Sequence, residues 1–140
     1  MNLRFIDKSE ISTYGTWVKS QDLDTKTTFF GCATSDYGVD HLITKWETET
    51  DKHEFIYVEE DGGQLIGTLH ISLTRDRDEA EFAVIVAKGH RGKGIADRMM
   101  RTALKWCQHR HIFKIYMHCL SWNTPIIKLV QKYGLNIIRD

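Results

Sequence analysis

The run "EAEFAVIVAKGHRGKGIADRMM", residues 79–100, constrains the chain most. An apolar segment, FAVIV, ends in the basic turn HRGKG. Beyond the turn, Ile95, Met99, Ala103, Trp106 and Cys107 recur at the spacing of one helix face. "FKIYMHCL" then reads as another strand. A strand, a glycine turn, a helix and a second strand define a β-α-β unit. Glycines let backbone approach a ligand, and the first N–H groups of a helix point at an anion. A P-loop is excluded because Ile95 follows Gly94. A dinucleotide fingerprint is excluded because Asp97 stands at its third glycine. Spacing alone leaves two readings open: an anion cradle, or a tight turn with solvated basic residues.

The rest of the chain supplies the sheet. "LRFID" reads as a strand, and "KSEISTYGTWVKSQ" as a helix with Ser9 at its N-cap. "TTFFGCATSDYG" reads as a loop and "VDHLITKWETET" as a helix. "EFIYVEE" and "QLIGTLHISL" pair through the hairpin turn "DGG", and "TRDRD" turns into the next strand. Pro125 suits the first turn of a short helix capped by Asn123 and ended by Gly134, and "LNIIRD" begins a last strand. The expected fold class is α/β (α+β), one mixed sheet flanked by helices, as a single domain over residues 1–140.

Composition narrows the function. Lys+Arg and Asp+Glu are both 19, which argues against nucleic acid and gives no attraction to a membrane. No apolar run is long enough to span a bilayer. Three cysteines, Cys32, Cys107 and Cys119, lack metal-ligand spacing and suit a reducing cytoplasm. His109 and His111 have no visible partner ligand, so no metal site is expected. The acidic run "EEDGG" reads as a hairpin tip.

Arg91-Gly92-Lys93-Gly94-Ile95-Ala96 resembles the coenzyme A signature of the GNAT acetyltransferases, Gln/Arg-x-x-Gly-x-Gly/Ala. "NTPIIKLVQKYGL" resembles that family's Asn-x-x-Ala-x-x-Leu-Tyr-x-Lys-x-Gly-Phe helix. Together the two motifs run from the glycine turn almost to the carboxyl end. "EAEFAVIVA" and "LSWNTPIIKLV" are similar, more narrowly, to the acetyltransferase domain of bacterial protein-lysine acetyltransferases.

The resemblance implies a mostly antiparallel sheet and transfer of an acetyl group from acetyl-CoA, as co-substrate, to a primary amine. The acceptor would be a protein lysine or a small amine. An ammonium must lose a proton before it can attack, so a base is needed. The resemblance gives that role to Glu81, or to His118 in the manner of protein N-terminal acetyltransferases. It implies that backbone at Val84, Ile85 and Val86 pairs with the pantetheine arm. Arg91, Gly92, Lys93, Gly94, Ile95 and Ala96 would hold the pyrophosphate, and Asn123 and Lys132 would reach the arm or the phosphates. Alternation places Glu79, Glu81, Ala83 and Ile85 on one strand face and Phe82, Val84 and Val86 on the other. Val130 stands where the family carries a tyrosine acid, and valine has no proton to give. Without that acid, the thiolate leaves unaided or with help from Tyr116 or Cys119. A degenerate acyl-CoA sensor is the rival from another class. Family members continue past "YGLNIIRD" through another strand, so two expectations stand: that final strand is absent, or the sequence is a shortened one. An exposed sheet edge would then invite a homodimer.

Overall fold

The computed structural model describes residues 2–22, 36–48, 53–117 and 124–134. Among these, five strands form one sheet in the order β1 to β5. They are β1 (Asn2–Phe5), β2 (Glu54–Asp61), β3 (Gln64–Leu73), β4 (Glu79–Val86) and β5 (Lys114–Met117). β1 through β4 are antiparallel, and β4 pairs with β5 in parallel. The α-helices are α1 (Ile11–Ser20), α2 (Asp36–Thr48), α3 (Ile95–His109) and α4 (Thr124–Lys132). The mixed, mostly antiparallel sheet flanked by helices is the architecture the sequence implied.

Two local expectations are corrected. Ser9 does not cap α1. Asp7 does the capping, on a 3-10 turn over Lys8–Glu10, where its carboxylate accepts from the Ser9 N–H at 2.9 Å. Glu10 reaches back to the Asp7 N–H and completes a capping box. Helix α2 begins at Asp36, inside the segment read as a loop, because an acidic residue is favourable at a helix start. Residues 27–35 of that segment, and the expected last strand from Leu135, lie outside the described residues.

The hairpin closes as its sequence demands. Asp61 faces Gln64, and Gly62 and Gly63 take positive φ of 58° and 83°. Near it the register slips by one residue: Glu59 faces Gly67 and Glu60 faces Leu65. Ile66 is the extra residue, and the bulge reverses which side chains point to which face. Ile66 therefore packs with Leu69 and Ile71, while Leu65 turns to the opposite side.

Each face has its own core. Phe55, Leu69, Ile71 and Phe82 pack against Ile95, Met99, Met100, Ala103 and Cys107 of α3. Ile56, Val58 and Ile85 pack against Tyr14, Val18, Ile43 and Trp46 of α1 and α2. Strand β4 alternates as its sequence predicted, with Phe82 toward α3 and Ile85 toward α1 and α2. The expected helical stripe of α3 is buried, with Met100 added to it.

Candidate functional site

The end of β4 is tied down before the glycine turn begins. The Ala87 N–H donates to the Ile66 carbonyl at 2.9 Å, and the His90 N–H to the Ala87 carbonyl at 2.9 Å. Gly92 and Gly94 then both take φ of 78°. That left-handed conformation strains any residue with a Cβ. A Cβ at either position would meet nothing within 4 Å, so these glycines serve the backbone's path and leave its outer side open.

Helix α3 starts directly from this turn. Gly94 is its N-cap and provides no side-chain acceptor. The first-turn N–H groups, at Ile95, Ala96 and Asp97, have no acceptor within the helix. Arg91 and Lys93 are exposed on the same turn. The Arg91 Nε donates to the Val86 carbonyl at 3.2 Å, which lays the guanidinium across the end of β4. An open loop with an uncapped, positive helix end and two cations fits a pyrophosphate.

Three contacts that the sequence did not reveal hold that helix end in place. Gly67 on β3 lets α3 settle onto the sheet: a Cβ there would lie 3.0 Å from Met99 Cε and 3.3 Å from Ile95 Cγ2. Arg98 reaches from the first turns of α3 to Glu59 on β2, whose side chain is 1% exposed. The run "EEDGG" is therefore not simply a hairpin tip: Glu59 is buried under α3, and Glu60 accepts from Arg4 at 2.5 Å. The third contact joins α3 to α4. Asp97 accepts from Lys132 Nζ at 2.6 Å and from the Tyr133 hydroxyl. The hydrogen bonds from Lys132 and Tyr133 hold the Asp97 carboxyl below the usual range. An acidic group beside an anion cradle would repel its ligand; pairing with Lys132 offsets that charge.

Lys132 thus stands next to the turn, with its ammonium on Asp97. Burial and the bond to Asp97 raise the Tyr133 phenol, so its proton is committed there. Val130, at the tyrosine position of the family pattern, is buried in the core. Gly134 ends α4 at φ 70°, as expected. His118, Cys119 and Asn123 lie outside the described residues, as does the side chain of Tyr116.

Glu81 lies on β4 opposite Ser72 of β3 and Tyr116 of β5. It is half-buried and shares the face of α1 and α2. Val84 faces Leu69, Ile85 faces Thr68 and Val86 faces Gly67, which sets this stretch of backbone immediately before the turn. The sequence reading missed a polar cluster on the Glu81 face. Glu54 Oε2 accepts from His70 Nε2 at 2.6 Å and from Ser72 Oγ at 2.5 Å. His70 is 5% exposed. Its period-two placement with Ser72 was visible, but the partner sixteen residues away was not. Among the described residues no group of three or more His, Cys, Asp or Glu side chains could hold a metal ion, and no helix is long and apolar enough to cross a membrane.

The fold is a β-α-β unit with an open, positive glycine turn, set in a mixed sheet. The chain belongs to the acetyltransferase (GNAT) family, whose model matches residues 20–135. This is a family of acetyl-CoA-dependent acyltransferases. Solved structures with the same fold include the GNAT domain of S. lividans PAT, 19% identical with a TM-score of 0.77, covering 99% of this chain and 82% of that one. A predicted acetyltransferase with acetyl-CoA from Clostridium acetobutylicum is 20% identical with a TM-score of 0.73, covering 99% and 92%. Spermidine N-acetyltransferase from Vibrio cholerae is 23% identical with a TM-score of 0.73, covering 95% and 79%. A streptothricin acetyltransferase of Escherichia coli is 27% identical over 74 residues. That match spans 53% of this chain and 42% of the relative.

Proposed function

We propose that this chain transfers an acetyl group from acetyl-CoA to a primary amine by direct attack. The observation that carries the reading is the open turn at Gly92 and Gly94 leading into an uncapped helix. Acetyl-CoA would supply an acetyl carbonyl already activated as a thioester. Arg91, Lys93 and the first-turn N–H groups of α3 would hold its pyrophosphate. Backbone at Val84 to Val86 would orient its arm, and Lys132 and Asn123 would stand beside it.

Glu81 would take the proton from the acceptor ammonium, leaving a nitrogen lone pair to attack the carbonyl. The N–C bond forms, the C–S bond breaks, and the second nitrogen proton, released to solvent or the leaving sulfur, balances departure of coenzyme A as the thiol. Tyr133 is not given the acid role, because it donates to Asp97. A small amine is the favoured acceptor class, since spermidine and streptothricin are named for two relatives. A protein lysine follows from the narrower resemblance. A cytoplasmic setting belongs to the same reading and is supported by the cysteine pattern.

The test is calorimetric titration with acetyl-CoA of the wild type and of Arg91→Glu/Lys93→Glu. Binding that the double variant loses by at least about 100-fold, with its fold intact, is the expected result. A folded wild type that does not bind acetyl-CoA would sink the reading. Turnover of spermidine that Glu81→Gln abolishes, with acetyl-CoA binding retained, would separate an enzyme from an acyl-CoA sensor.

A further inference from the structure

The register of three strands places Glu54, Ser72 and Glu81 in one row across the sheet. Glu54 faces Ser72, and Ser72 faces Glu81. His70 sits one step along the same face, opposite Ala83. Its ring packs against Trp46, with centroids 4.5 Å apart, and lies 6.4 Å from Tyr14. A core does not require these groups. Burying an imidazole and a carboxylate costs desolvation that leucine or valine would avoid.

We propose that Glu54, His70 and Ser72 form a charge-setting cluster that tunes Glu81 through the sheet. They act as positioning residues and do not touch the acceptor. The inference rests on reading Glu81 as the base.

The cluster works by its net charge. Burial opposes ionisation of Glu54, but hydrogen bonds from His70 and Ser72 outweigh it and hold its carboxyl below the usual range. With His70 neutral, the cluster carries one negative charge. With His70 protonated, it carries none. Glu54 and Glu81 are two strands apart, about 10 Å. At an effective dielectric of about 20, a unit charge at that distance moves a titration by about one pH unit. Loss of the His70 proton therefore raises the proton affinity of Glu81 and makes it the stronger base. Linkage is reciprocal, so the Glu81 charge must raise the proton affinity of His70 equally.

Among the described residues, other charged and titratable groups lie near the row. Lys45 of α2 acts on Glu54, and Tyr14 of α1 faces it with a phenol that burial keeps protonated. Glu79, the next residue of β4 on this face, pairs with Lys114 at 3.5 Å. Tyr116 is opposite Glu81 in the register.

The experiment is an NMR pH titration of the His70 ring proton in the full chain, assigned with His70→Gln. It is repeated in Glu81→Gln and Glu54→Gln. The expected result is a fall of the His70 midpoint in Glu81→Gln by about half to one pH unit. Glu54→Gln should lower it further. A midpoint that Glu81→Gln leaves in place overturns the proposal. So does an imidazole that fails to titrate between about pH 4 and pH 9. A histidine with only a packing role would not sense Glu81. If Glu81→Gln keeps full spermidine turnover while the midpoint moves, the base assignment fails and the electrostatic coupling stands. If turnover is lost and the midpoint is unmoved, the cluster alone is refuted.

Discussion

Strand β3 presents two different surfaces. Leu69 and Ile71 point to α3, into a core of aliphatic, aromatic and sulfur-containing side chains. Thr68, His70 and Ser72 point to α1 and α2, beside Glu54 and Glu81. The α3 face does one mechanical task, holding the start of α3 and the glycine turn against the sheet. Glu59, a buried carboxylate on that face, serves that task by binding Arg98. The opposite face gives up apolar contact for groups that carry protons. The difference teaches that apolar packing fixes the start of α3 and its turn, whereas the other face admits buried polar groups.

The largest effect should come from the α3 face. Phe82→Ala removes a ring that is 1% exposed and should cost about 3–5 kcal/mol in urea unfolding. A cost below about 1 kcal/mol would show that this face is not the structural one. On the other face, Glu81→Gln should lower kcat for amine acetylation by about 10²- to 10⁴-fold. Its unfolding free energy should fall by less than in Phe82→Ala, because Glu81 is half-buried and outside the apolar core. Parallel losses of stability and rate would erase the contrast.

The polar pair sharpens it further. Removing one partner, as in His70→Ala, leaves the part-buried Glu54 carboxylate with Ser72 alone and should destabilise by about 1–3 kcal/mol. Replacing both partners, as in Glu54→Gln/His70→Leu, should recover most of that stability without restoring activity.

The same pair predicts a pH dependence. The folded Glu54 carboxyl lies below its unfolded value. Its contribution is therefore complete above the ordinary glutamate range and is lost as pH falls through the lowered folded value. Glu54→Gln should flatten that part of the acid unfolding curve; an unchanged acid limb would count against the pair. The smallest effect belongs to the turn itself. Gly94→Ala meets open space but a strained φ, and should cost about 1–2 kcal/mol.

Local signals made much of the fold readable. Glycines marked the hairpin and the basic turn, period two marked β4, and helical spacing marked α3. The cap was misread because Asp7 and Ser9 are both good capping residues, and only the backbone at Asp7, with ψ of 177°, decided between them. Lys132 was legible as a cation near the turn, but its partner Asp97, 35 residues away, was not. Glu59 was hidden by its neighbours, since an acidic run beside glycines looks solvated until a helix covers it.

By itself, the sequence determined the unit from Glu79 to Cys107: a strand, a basic glycine turn and an amphipathic helix. Those features depend on backbone preference and periodicity, which act between near neighbours. Tertiary structure alone decided that Glu54, Ser72 and Glu81 share a row and that His70 joins Glu54. That outcome depends on strand register, which sets residues far apart in the chain side by side and brings His70 within hydrogen-bonding distance of Glu54.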